Sequence, residues 1–260
     1  FMQYLAKLGY VVVIHDHRGH GKSVKYQDDL GFTYGGGAQA MLQDIRTVNR
    51  KIHTYYPELP LILMGHSMGS LAVRAFVAEH DSCADMLIVC GSPSYNTAMP
   101  LGVAIAKTEK AVFGPRHRSK LIETMSFGAG AMKFRKDKRC TAWICSNPDV
   151  AKEYEESELC GFTFTDDAYL ALFELMKRAY DVEHFSCTNP DMPVLFVSGA
   201  EDPCLINVRH FAKTVRAMRH AGYKDVKGKL YPGMRHEILN EIGKEQVYHD
   251  ITVYMRKKGF

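Results

Sequence analysis

The chain has 260 residues, 46% hydrophobic and 24% charged, with a formal net charge of +4. That length suits one large α/β domain, and that apolar fraction sustains a buried core. The mild positive balance excludes a dedicated nucleic-acid binder, because no basic block is concentrated on one face. The densest basic stretch, Lys133 to Arg139, is interrupted by Phe134 and Asp137 and reads as solvated surface or a pocket rim. No apolar run has membrane-spanning length, so no transmembrane segment is expected. Seven cysteines without a Cys-x-x-Cys pair argue against a zinc knuckle or redox dithiol and suggest a reducing, cytoplasmic setting. Cys90, inside an apolar run, is expected in the core.

In chain order, Phe1 to Leu8 reads as the second half of an amphipathic helix, with Phe1, Tyr4, Leu5 and Leu8 on one face. Tyr10 to His15 is a β-branched run that predicts a strand, followed by a turn-rich segment from His17 to Ser23. After Gly35, Gly36 and Gly37 comes a helix of roughly 18 residues whose stripe is Met41, Leu42, Ile45, Val48 and Ile52. Leu61 to Met64 predicts a short buried strand, and a helix is expected from about Ser70 to His80. Further strands are expected at Met86–Cys90, Val194–Val197 and Gly228–Tyr231, with helices at about Asn207–His220 and Glu245–Lys257. Strands alternating with helices predict an α/β fold with a mostly parallel sheet covered on both faces.

The alternation stops over residues 94–190. This stretch carries Trp143, many Met and Phe, and an amphipathic helix over Asp166–Tyr180 with Tyr169, Leu172, Phe173 and Met176 in its stripe. About 95 residues are too many for a loop. They predict an inserted helical cap between two parts of the core, 1–93 and 191–260. The apolar cap residues line an acyl pocket or serve the cap's own packing; both readings stay open.

Gly65-His66-Ser67-Met68-Gly69 lies between a predicted strand and a predicted helix, the context of a nucleophile elbow. The reversal lifts the Ser67 hydroxyl clear of the sheet at the positive end of a helix and leaves the Met68 N–H as an oxyanion donor. A serine hydroxyl needs a base, and the base an orienting acid. Val194 to Pro203 gives strand, glycine turn and Asp202, favoured over Glu201 because its shorter side chain precedes a proline. Leu230 to Glu237 gives strand, turn and His236. The acid lies 135 residues after Ser67 and 34 before His236, and the first gap accommodates the insertion. His66 is expected to turn away from the serine. His210, His220 and His249 fall on amphipathic helices and read as surface.

Two motifs are set aside. His15-Asp16-His17-Arg18-Gly19-His20 lacks the aspartate that a dinuclear metal motif places before its last histidine. Gly21-Lys22-Ser23 lacks the glycine that opens a phosphate loop, since Asp16 stands there. A turn built on Gly19 and Gly21, with Arg18 and the histidines bonding neighbouring loops, accounts for both.

Asp16–Ser23, Gly65–Gly69 and Gly233–Glu241 together resemble the monoacylglycerol lipase and lysophospholipase group of α/β-hydrolases, which includes the serine aminopeptidase-like hydrolases. The resemblance implies Ser67 as nucleophile, Asp202 as acid, His236 as base and Met68 as oxyanion donor, with the insertion as a cap. It implies hydrolysis of a small-molecule acyl ester such as a monoacylglycerol or lysophospholipid, without metal or organic cofactor, and transient contact with a lipid surface. A thioesterase, a peptidase and a non-catalytic ligand-binding relative remain alternatives. The group carries a His-Gly turn supplying the second oxyanion N–H upstream of the helix that Phe1 ends. Roughly 40 or more residues, with the first strands and that loop, are therefore expected to precede Phe1, and the missing strand to lie between Tyr10–His15 and Leu61–Met64.

Overall fold

In a computed structural model of the chain, residues 1–137, 139 and 141–260 are described; Lys138 and Cys140 lie outside them, as does the side chain of Ala129. Four parallel strands form one sheet in the order β1 (Ile62–His66), β2 (Met86–Cys90), β3 (Val194–Gly199) and β4 (Val226–Tyr231). The two inner strands are buried at every position, whereas β1 and β4 are only partly covered. Alternation of side chains along a strand divides the core in two. Leu87, Val89, Val194 and Phe196 face one cluster, and Met86, Ile88, Cys90, Leu195 and Val197 face the other. Cys90 is thus a core residue.

On the first face lie α2 (Gly37–Tyr55), α3 (Met68–His80), α7 (Asp166–Tyr180) and α8 (Val208–His220). The stripe residues Met41, Leu42 and Ile45 anchor α2, while α3 is buried at every position from Ser70 to Ala78. A helix buried all round belongs between layers, and α3 is packed by α2 and α7 on one side and the sheet on the other. The second face is covered by α1 (Met2–Lys7) and α9 (Lys244–Lys257). Phe1, Tyr4 and Leu5 pack there; Leu8 is exposed.

The predicted strand at Tyr10–His15 does not form. Residues 10–17 are irregular and pair with no strand among the described residues, and β1 is the sheet edge. Tyr10 and Val12 still pack on the second cluster, but Val11, Val13 and Ile14 are exposed. β-Branched composition expresses strand preference only where a neighbouring ladder accepts the backbone hydrogen bonds.

Between β2 and β3 the chain forms α4 (Met99–Phe113), α5 (Lys120–Lys133), α6 (Pro148–Glu156) and α7. α7 has two packing partners. Ala171, Leu175, Met176 and Ala179 join the sheet-side core, while Tyr169 packs with Ala106 of α4 and Ile122 of α5. Leu172 and Phe173, half-buried, bridge the two clusters. The fully buried Arg74 on α3 fastens this helix by donating to the Ala179 carbonyl at 2.7 Å and lying 4.3 Å over the Tyr180 ring. Among the described residues, no helix is long and apolar enough to cross a membrane.

Candidate active site

Ser67 stands between β1 and α3 with φ 54° and ψ −121°, a backbone conformation that costs a non-glycine residue energy unless its surroundings enforce it. Two contacts enforce it here. The Ser67 N–H donates to the Cys90 carbonyl at 3.0 Å, and Ser70 Oγ donates to the Ser67 carbonyl at 2.5 Å. Gly65 provides the clearance: a Cβ there would lie 2.2 Å from the Gly69 carbonyl oxygen. Met68 is the first residue of α3, so its N–H has no acceptor within the helix.

The loops after β3 and β4 bring the other two residues to this turn. His236 Nε2 lies 2.8 Å from Ser67 Oγ, and His236 Nδ1 lies 2.9 Å from Asp202 Oδ2. Asp202 and His236 are buried, at 2% and 5% exposure. Glu201, the competing acid, faces solvent. Burial pushes the Asp202 carboxyl up, but pairing with His236 and bonds from the Cys204 N–H and Ser198 Oγ outweigh it and hold the group below the usual carboxylate range. Burial also opposes a charge on His236; the neighbouring Cys204 and Asp202 favour it, and the balance lies well above the ordinary imidazole value. The arrangement lets the ring accept the Ser67 proton while Asp202 steadies the resulting charge.

Sequence reading missed several residues that hold this geometry. Ser198 Oγ donates to Asp202 Oδ2 at 3.1 Å, and the Cys204 N–H donates to Oδ1 at 2.8 Å. Glu241, buried, accepts from the backbone N–H groups of Arg235 and Ser146, tying the His236 loop to the 142–146 segment. Arg235 donates to the Ala142 carbonyl at 2.5 Å, and the Glu237 N–H to the Ile144 carbonyl at 2.8 Å. That segment sets the Trp143 ring 5.3 Å from His236, and Phe127 stacks on Trp143. Trp143 and the Met and Phe richness of the insertion were the hints of this wall in the sequence.

The remaining candidates stand apart from the serine. His66 points its Nε2 at the His236 carbonyl, 3.1 Å away; burial, then the neighbouring His236, pushes its pKa down to about 4. His210 bonds Asn207, and His220 and His249 are exposed. At the early turn, Gly19 and Gly21 take φ of 78° and 50°, and Arg18 pairs with Asp44 through two bonds of 2.9 Å. Asp202, Cys204 and His236 also form a group of potential metal donors, but both His236 nitrogens already serve the serine and the aspartate.

Parallel sheet, elbow and convergent loops define an α/β-hydrolase. The chain belongs to the Hydrolase_4 family, described as Serine aminopeptidase, S33, which matches residues 1–243. It is 25% identical over 250 residues to a monoacylglycerol lipase of Mycolicibacterium smegmatis, an alignment covering 95% of this chain and 78% of that protein. Among solved structures, a thermostable carboxyl esterase from Bacillus coagulans in complex with glycerol superposes with a TM-score of 0.85 at 24% identity, covering 93% of this chain and 79% of that one. A lipase in its open form superposes at 0.88 with 21% identity, covering 99% and 84%.

Proposed function

We propose that the protein hydrolyses carboxylic esters through an acyl-enzyme on Ser67, with a monoacylglycerol or similar lysolipid as substrate. The observation that carries this reading is the unbroken chain of hydrogen bonds from Ser67 through His236 to Asp202. His236 takes the Ser67 proton as Oγ attacks the ester carbonyl, and the Met68 N–H donates to the oxyanion. The intermediate collapses by breaking the bond to the alcohol, which leaves with the proton from His236. Water then gives a proton to His236 as its oxygen attacks the acyl carbonyl, and the acyl–Oγ bond breaks as His236 returns the proton to Ser67 Oγ, releasing the acid and restoring both residues. Asp202 holds the Nδ1 proton and stabilises the charged ring throughout. No step requires a metal or organic cofactor.

Residues 94–190 act in this proposal as a cap over the serine, with Trp143 and Phe127 as an apolar wall on the acyl side. The names of the lipase and esterase relatives support an ester of glycerol. The family's aminopeptidase description supports an amide as the second candidate. Six unpaired cysteines among the described residues are consistent with a reducing compartment, which supports a cytoplasmic location.

The test is labelling of the chain with a fluorophosphonate probe, followed by turnover of monoacylglycerols, acyl thioesters and aminoacyl amides. Labelling at Ser67 that disappears in Ser67→Ala, with monoacylglycerol turned over fastest, is the expected outcome. Preference for thioester or amide reassigns the substrate. No labelling of the folded protein leaves a ligand-binding relative as the better reading.

A further inference from the structure

A second group of titratable side chains lies away from Ser67, where α4, the turn after it and α7 meet. Glu109 comes from α4, His117 from the turn and Asp166 from the first position of α7. One donor atom from each falls within 4.8 Å of the other two. His117 Nδ1 is hydrogen-bonded to Asp166 Oδ2 at 2.9 Å, a bond that an ion between them would replace, and lies 4.0 Å from Glu109 Oε2. The backbone fixes the register, since the Asp166 N–H donates to the His117 carbonyl at 2.8 Å.

The hydrogen-bond accounting of this group is incomplete. Asp166 is fully buried, yet among the described residues its Oδ1 has no partner, and neither has the buried Oε2 of Glu109. The adjacent Asp167 shows what satisfaction looks like here: it accepts from Lys110, Thr33 Oγ1 and the Gly35 N–H. A helix N-terminus alone accounts for an acidic residue, but not for bare buried oxygens on two carboxylates of one cluster.

We propose that Glu109, His117 and Asp166 form a site for a borderline divalent transition-metal ion, Zn²⁺ being the reference case, that braces α4 against α7. One imidazole nitrogen and two carboxylates are donors such ions accept. Ligand distances near 2.0–2.2 Å put neighbouring donors in a tetrahedral shell about 3.3 Å apart. The two measured separations, 2.9 and 4.0 Å, bracket that spacing. His117 binds through Nδ1 as the neutral ring, with its proton on Nε2. The side chains of His117 and Glu109 are 31% and 22% exposed, so water completes the shell and the ion has a route in. Sequence inspection passed this site over because its ligands come from three segments with no motif spacing.

The test is calorimetric titration of the chelator-treated chain with Zn²⁺, with Tm followed in parallel. Both are done in Cys204→Ser protein, so that the Asp202–Cys204–His236 group offers no thiol. One Zn²⁺ per chain is expected, and free Zn²⁺ a hundredfold above Kd raises Tm by about 5–10 °C. Glu109→Gln removes a ligand whose Oε2 has no hydrogen bond to lose among the described residues, so its metal-free Tm stays near that of the parent while Zn²⁺ affinity falls at least about tenfold. His117→Gln gives the same loss and serves as the second comparison if Glu109→Gln fails to fold. No bound Zn²⁺, or unchanged affinity in a folded variant, overturns the proposal.

Discussion

The two glycines of the elbow look equivalent in sequence, and the structure separates them. An alanine Cβ at residue 65 would meet only backbone, 2.2 Å from the Gly69 oxygen, 2.5 Å from the Gly69 carbonyl carbon and 2.9 Å from the Ser70 nitrogen. No rotamer relieves that clash, so β1 and the start of α3 must part by about 1 Å to reach ordinary contact. Ser67 rides on that junction. Moving its Oγ by such an amount from the 2.8 Å bond to His236 takes it beyond hydrogen-bond range. A displacement of this size costs about 100-fold in rate. Overpacking against backbone costs about 1–3 kcal/mol, or roughly 2–12 °C in Tm for a domain near this size. At residue 69 an added Cβ meets only His17 Nε2, at 3.5 Å, an ordinary contact, and alanine favours the helix it would join. The assay is p-nitrophenyl ester turnover with calorimetric melting for both variants. Gly65→Ala should lose both activity and Tm, while Gly69→Ala stays close to the parent. Equal effects, or a harmless Gly65→Ala, would refute the clearance argument.

Three further outcomes follow from the same geometry. Asp202→Asn should lower kcat by about 10⁴-fold. Loss of the carboxylate charge lowers the His236 pKa, so the acid limb of the kcat/KM profile should move to lower pH; an unmoved limb would mean Asp202 is not the partner that raises it. Ser198→Ala removes one donor to the carboxylate and should reduce kcat/KM by about 5- to 10-fold, with KM nearly unchanged, as steady-state kinetics would report. Arg74→Met strips the Ala179 carbonyl of its buried donor and should cost about 1–3 kcal/mol in denaturant melts, while probe labelling at Ser67 persists; an undiminished midpoint would remove Arg74 as the fastener of α7.

Much of the candidate site was legible because its grammar is local. A buried strand, a small-residue turn and a helix announce Ser67, and a strand followed by a turn announces Asp202 and His236, each within about ten residues of chain. The same locality made the extents of β2 and α7 readable, since their apolar patterns lie within the segments themselves. Tyr10–His15 shows the limit. Its composition favours a strand, but a ladder belongs to two segments, and no described neighbour pairs with it. α7 shows another. One stripe was visible, whereas its small residues Ala171 and Ala179 are also buried, in the sheet-side core, which no single-helix pattern reveals.

The amino-acid sequence by itself determined the order of the four strands, the helices packed between and after them, and the identity of the nucleophile, acid and base candidates, because strand, turn and helix preferences act over neighbouring residues. Only the tertiary structure decided what holds them in register: Ser198 and Cys204 on the acid, Glu241 beneath the base loop, Trp143 beside the ring, and Gly65 rather than Gly69 as the point of clearance. Those contacts join residues distant in the chain, and their distances are set by how the layers pack rather than by any spacing along it.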